Sequence, residues 1–78
     1  MITNADAKVK VINELLDKKK KVMVLQHDMD KDKYAIAEED PEHIEPKILC
    51  QGRRIEILNI LNKLGPKGDS LRKQLSHK

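Results

Sequence analysis

Three aspartates and a glutamate in residues 28–39 have the spacing of the oxygen ligands in a calcium-binding loop. Asp28, Asp30 and Asp32 take positions one, three and five of such a loop, and Glu39 takes position twelve. The loop requires glycine at its sixth position, where the main chain turns with positive φ, and Lys33 stands there instead. We expect no calcium site, because this lysine resists the required conformation and places a positive charge beside the ion.

Histidine, glutamate and cysteine also occur close together, in residues 43–50. His43 and Glu45 form an H-x-E pair of the type used by zinc nucleotide deaminases, and Cys50 is the single cysteine. The second half of that motif, P-C-x-x-C, is missing, and one histidine with one cysteine cannot complete a tetrahedral zinc site. The sequence also lacks a glycine-rich phosphate loop. We therefore predict that the chain is not an enzyme and holds no cofactor.

Clustered cations could bind an anionic ligand. Four consecutive lysines end at Lys21, and two arginines are adjacent further along the chain. Basic side chains of this kind contact phosphate groups, and the single aromatic residue is the one ring that could stack on a base. The candidate residues for a signalling nucleotide or a nucleic acid are Lys20, Lys21, Tyr34, Arg53 and Arg54.

The size and composition of the chain limit how these residues can be positioned. With 78 residues and neither Phe nor Trp, the core of a single small domain must be aliphatic. Short chains of this kind often complete such a core with another copy or a partner, and we expect the same here. Residues 28–47 carry eight acidic side chains against three lysines, whereas the segments at both ends are basic. An acidic block of this kind repels nucleic acid. The free thiol and the lack of a long apolar run favour a cytoplasmic protein without membrane contact.

The spacing of apolar residues favours a long first helix. Leu15, Val22, Met29 and Ile36 recur every seven residues, which is typical of a seam between packed helices. Because residues with high helix propensity are common here, we predict one helix over about residues 3–39. A period of two leaves an alternative open, in which "VMVLQ" and "YAIAE" are strands of a β-hairpin at about residues 21–38.

Two prolines separate this segment from a second helix. Pro41 and Pro46 disfavour helix before them, so we predict a turn over residues 40–45 and a helix over 46–64. The Gly65-Pro66 pair ends that helix, and a short basic helix is expected over residues 69–77. The second helix is apolar around most of its circumference, so more than one neighbour must cover it.

Together these elements predict an all-α fold for residues 1–78: a two-helix antiparallel hairpin with a short C-terminal helix, forming homo-oligomers. We expect a non-catalytic regulatory or inhibitory protein that binds a protein partner through helix packing. The expected interface residues are Leu15, Val22, Met29, Ile36, Ile57, Ile60, Leu61 and Leu64. In the alternative, the oligomer sequesters an anionic ligand between protomers, as small phage hairpins of similar architecture do with signalling nucleotides.

Overall fold

A three-stranded antiparallel sheet with three helices forms the fold of residues 4–76, the part of the chain that the computed structural model describes. The elements in chain order are α1 (Asn4–Asp17), β1 (Val22–Gln26), β2 (Lys33–Glu38), β3 (Lys47–Arg53), α2 (Arg54–Lys63), a 3₁₀ turn (Gly65–Gly68) and α3 (Asp69–Ser76). The strand order is β1-β2-β3, so β2 is central and the other two strands are edges. The fold is therefore α+β, and the predicted all-α helical hairpin is wrong.

The first helix ends at Asp17 and does not continue to residue 39 as predicted; residue 3, its predicted start, lies outside the described residues. The N–H of Lys20 donates to the carbonyl of Leu15 at 2.9 Å, and the N–H of Lys19 donates to that of Leu16 at 3.0 Å. These hydrogen bonds form a Schellman motif, in which the left-handed residue is usually glycine. Here it is Lys19, with a φ of 61°, so the sequence does not show the usual sign of a helix end.

Residues 22–38 form a β-hairpin, which the sequence had left open as the alternative to helix. Val24 of β1 lies opposite Ile36 of β2 in the antiparallel register. In the connection, Nδ1 of His27 accepts hydrogen bonds from the N–H groups of Met29 and Asp30, at 3.1 and 3.2 Å. The N–H of His27 donates to the carbonyl of Lys33 at 2.8 Å and closes the loop.

The predicted helix over residues 46–64 is a strand followed by a helix. β3 pairs with β2 through residues 47–53, and a bulge at Ile48 and Leu49 interrupts the register. At the junction with α2, the carboxylate of Glu56 accepts a hydrogen bond from the N–H of Arg53 at 3.0 Å. A Cβ at Gly52 would lie 3.2 Å from that carboxylate, so glycine leaves room for the cap. Gly52 therefore lies near the end of a strand, and not inside the predicted helix over residues 46–64.

The core lies between one face of the sheet and the helices. Its buried members are Ile12, Tyr34, Ile36, Cys50, Ile57, Ile60, Leu61, Leu64, Leu71 and Leu75. The apolar circumference of α2 is thus covered within one chain, because the sheet lies on one side and α1 and α3 lie beside it. None of the described helices has the length and apolar character that a membrane crossing requires.

The predicted helical seam does not form. Leu15 and Val22 are half-buried, on α1 and β1 respectively, and Met29 is 89% exposed in the β1–β2 connection. The other predicted interface residues, namely Ile36, Ile57, Ile60, Leu61 and Leu64, are buried inside the single chain. Pairing between two long helices therefore cannot be the mechanism of association.

Candidate functional site

The face of the sheet that points away from the helices carries apolar side chains. Val22, Val24 and Ile36 point toward the core on the helix side of the sheet. Successive residues of a strand point to opposite faces, so the neighbours of these residues along their strands belong to the other face. From the register, this open face contains Met23, Leu25, Ala35, Ala37 and Ile48, of which Ile48 is exposed, Ala37 is buried and the other three are half-buried. Strands that are apolar on both faces are typical of sheets covered on both sides. Within residues 4–76, helices cover only one of the two faces of this sheet.

A groove of about 780 Å³ lies over the open face. Leu25, Ala35 and Ile48 line it from the strands, while Met29 and Pro46 line it from the two connections that flank the sheet. Because these connections leave opposite ends of β2, the groove extends along the strands between them. We call this feature the sheet groove.

Exposed apolar side chains concentrate around the sheet groove. Met29 is 89% exposed and Ile48 is 45% exposed, and both line it. Ile44 is fully exposed and lies next to Glu45, another lining residue. Apolar side chains gathered in one place at a surface mark a contact site more often than single exposed ones do.

The polar groups of the sheet groove lie in water. His27, Asp28, Lys33 and Glu45 are lining residues, and all four are exposed. The groove thus combines an apolar base with charges of both signs at its rim. That combination suits recognition of a polypeptide, in which apolar contacts contribute affinity and rim charges select the partner.

The candidate anion-binding residues are not brought together within one chain. Lys20 and Lys21 precede β1, where Lys21 lies 3.8 Å from the carboxylate of Glu39. Arg53 and Arg54 lie at the opposite end of the sheet, about 17 Å away along a six-residue strand.

The aromatic member of that candidate set is also inaccessible. Tyr34 is 4% exposed, and its hydroxyl accepts a hydrogen bond from Nε2 of Gln26 at 3.1 Å. A ring held in the core cannot stack on a base without leaving its packing, so the placement of these residues does not favour a nucleotide.

The carboxylates with calcium-loop spacing are also separated. Asp28, Asp30 and Asp32 lie in the β1–β2 connection, whereas Glu39 follows β2 at the other end of the sheet. Asp30 instead stabilises the turn, because its Oδ1 accepts the N–H of Asp32 at 3.0 Å. In the described part of the chain, no group of three His, Cys, Asp or Glu side chains could hold a metal ion.

The H-x-E segment and Cys50 belong to different parts of the fold. His43 lies in the β2–β3 connection, with Nδ1 at 2.6 Å from Oδ2 of Asp40. Cys50 is buried on β3. Burial raises the pKa of the Cys50 thiol, although the nearby charge of Lys8 partly opposes the shift. A raised pKa disfavours the thiolate, which is the nucleophilic form of cysteine.

The sequence contained one signal for the sheet groove. In "VMVLQ", Val22 and Val24 alternate with Met23 and Leu25, so a strand there is apolar on both faces and needs cover on both. The contribution of Ile48 had no such signal, because the bulge beside it breaks the period of two in β3.

Comparison of the chain with protein-family models, with curated proteins and with solved structures gave no match.

Proposed function

We propose that this chain is a non-catalytic binding protein that captures a segment of a partner protein in the sheet groove. The observation that carries this proposal is the exposure of Met29 and Ile48, two large apolar side chains that line the groove over the uncovered face of the sheet, with exposed Ile44 next to the lining residue Glu45. Covering them would remove apolar surface from water, at a gain of about 25 cal/mol per Å².

The size of the open face favours a short segment over a folded domain. Three strands about 4.8 Å apart and six residues long present roughly 300 Å². A specific interface between two folded proteins buries about 800 Å² on each partner. A short segment needs less surface because its main chain can also contribute hydrogen bonds.

The groups around the sheet groove do not favour catalysis. Asp28, Lys33 and Glu45 are exposed to water, whereas catalytic acids and bases are tuned by burial or by a close charge. The buried thiol of Cys50 has its pKa shifted away from reactivity. Binding is therefore the activity that the groove supports best, and a regulatory or inhibitory role follows from binding without catalysis.

The cytoplasm is the compartment that we propose for this activity. Cys50 is a free thiol in the core, which a reducing environment preserves.

Selection of peptides from a random display library on the immobilised protein tests the proposal. Peptides that bind wild type should lose at least tenfold in affinity for Ile48→Asp, because a carboxylate would then lie beside the apolar lining. The matched control is Ile55→Asp, since Ile55 is 59% exposed on α2 and does not line the sheet groove. Enriched peptides that bind all three proteins equally, or no enrichment on wild type, would contradict the proposal.

A further inference from the structure

Each edge strand of the sheet has an outward main-chain N–H that donates to a side chain of the fold. At β1, the N–H of Val24 points away from β2 and donates to Oε1 of Gln74 at 2.9 Å. Helix α3 thus occupies one outward donor of this edge, as Glu56 does for the N–H of Arg53 on the edge of β3. An exposed edge strand is a template for pairing with another strand, and such cover is one way in which proteins prevent it.

The opposite edge, at β3, retains outward-pointing main-chain groups. The hydrogen bond from the N–H of His27 to the carbonyl of Lys33 fixes which groups of β2 face β1. Because these groups alternate along a strand, the main-chain N–H and C=O groups of Tyr34 and Ile36 point to β3, where they face Gly52 and Cys50. The main-chain groups of Gln51, which lies between those two residues, therefore point outward. Among the described residues, no side chain or main chain hydrogen-bonds to the main chain of Gln51 from outside the sheet.

Depressions lie on both sides of this open edge. Gln51 lines the sheet groove on one side and, on the other, a groove of about 430 Å³ between α1 and α2. A smaller depression of about 170 Å³ on the helix side is lined by Leu49 and by Val11, which is 47% exposed. A strand placed beside β3 would direct alternate side chains into these depressions.

The charged residues of β3 itself are all basic, although Asp30, Asp32 and Glu56 line a depression beside Arg53. Lys47 and Arg53 mark the two ends of β3, and Arg54 follows. Lys8 of α1 lines both helix-side depressions. Within Lys47–Arg54 there is no acidic residue, so an incoming strand gains most if it carries carboxylates at both ends.

We propose that the partner segment binds as a fourth strand along β3, with alternating apolar side chains between acidic ends. This inference rests on the proposed function and names the class of ligand: an extended acidic peptide with apolar residues at every second position. Its apolar side chains would all lie on one face and enter the sheet groove beside Ile48, and the intervening side chains would lie on the helix side, beside Leu49 and Val11.

A second copy of this chain fits the edge less well. In the register centred on Cys50, antiparallel pairing of β3 with itself would place Lys47 of one copy near Arg53 of the other, and every register brings together two strands whose charges are all basic. Like charges directly opposite one another on paired strands are destabilising. The proposed occupant is therefore a segment of a different protein.

The test uses a blocked peptide of roughly nine residues, with two aspartates at each end and alternating valine and threonine between them. It should bind at least tenfold more tightly than the same peptide with lysine ends. Two further peptides are methylated at every second main-chain nitrogen. Methylation of the nitrogens that face β3 should abolish binding, and methylation of the nitrogens that point away from β3 should preserve it. Gln51→Pro should also abolish binding, because proline removes the outward N–H without touching the ladder to β2, and Gln51→Ala should not.

This test distinguishes failure of the strand addition at β3 from failure of the proposed binding in the sheet groove. Equal binding of both methylated peptides, or no binding of the aspartate-ended peptide up to about 1 mM, would overturn the strand addition. If display-selected peptides still lose affinity for Ile48→Asp in that case, the sheet groove remains the binding site. Self-association that Gln51→Pro abolishes would overturn the assignment of the edge to a different chain.

Discussion

The side-chain oxygen of Gln74 accepts a hydrogen bond from the main-chain N–H of Val24 at 2.9 Å, across 50 positions of sequence. This contact joins the last helix to the first strand. It occupies one outward N–H in the middle of the β1 edge, whereas within residues 4–76 the outward groups of Gln51, in the β3 edge, have no such partner. This difference is one reason for proposing β3 as the edge at which another strand adds.

Replacement of Gln74 by alanine should lower the free energy of unfolding by about 1 kcal/mol, because the half-buried N–H of Val24 loses its acceptor. The amide of Val24 should also exchange its hydrogen faster. Urea denaturation and NMR hydrogen exchange measure the two effects. Gln74→Glu keeps an acceptor oxygen and serves as the matched control. Unchanged exchange at Val24 in the alanine variant would show that the contact does not protect the edge.

Lys19 is expected to limit stability. Its φ of 61° is a conformation that costs a residue with a Cβ about 1 kcal/mol and costs glycine little. Lys19→Gly should therefore raise the free energy of unfolding by roughly 0.5–1 kcal/mol. Lys18→Gly, one residue earlier, lacks this benefit and should be neutral or destabilising. Equal effects of the two substitutions in thermal unfolding would contradict this explanation of the helix end.

The same substitution at two isoleucines of α2 should change the free energy of unfolding by very different amounts. Ile57 is fully buried, so Ile57→Asp places a carboxylate in the core and should cost on the order of 4 kcal/mol or more, enough to unfold a domain of this size. Ile55 is 59% exposed, and Ile55→Asp should stay within about 0.5 kcal/mol of wild type. Circular dichroism during heating distinguishes them. A folded Ile57→Asp variant that only changes its oligomeric state would instead favour the predicted helical interface.

Calcium should have no effect on this protein. Asp28 and Glu39 lie at opposite ends of β2, and the ligand spacing in the sequence does not correspond to one site in space. Addition of about 1 mM calcium should therefore leave the circular dichroism and the thermal midpoint unchanged. A rise in the midpoint that Asp30→Asn abolishes would show that the connection binds the ion after all.

Much of the fold depends on contacts that a sequence does not display. Residues 22–38 contain good helix formers and a seven-residue repeat that ends at Ile36, so local propensity favoured helix. The strand conformation is more stable because β2 pairs with a strand on each side. Its second partner, β3, begins nine residues after β2 ends, so local sequence does not show this pairing. Tertiary pairing thus overrides local preference.

Particular residues explain the other differences. Lys19 stands where glycine would have shown the end of α1, and the bulge at Ile48 and Leu49 conceals the alternation of β3. The end of α2, by contrast, lies at Lys63, just before the Gly65-Pro66 pair that predicted it. The sheet groove could be inferred only in part, since Leu25 and Ile48 meet through β2 and are distant in sequence.

Amide NMR spectra recorded during titration with a display-selected peptide test binding at the sheet groove most directly. We expect the largest shifts at Leu25, Ala35 and Ile48, together with Gln51 at the open edge of β3. The exposed side of α2 around Ile55 should remain unchanged. Shifts centred on Ile55 or on the outer side of α3, with the strand amides unaffected, would contradict the proposed function.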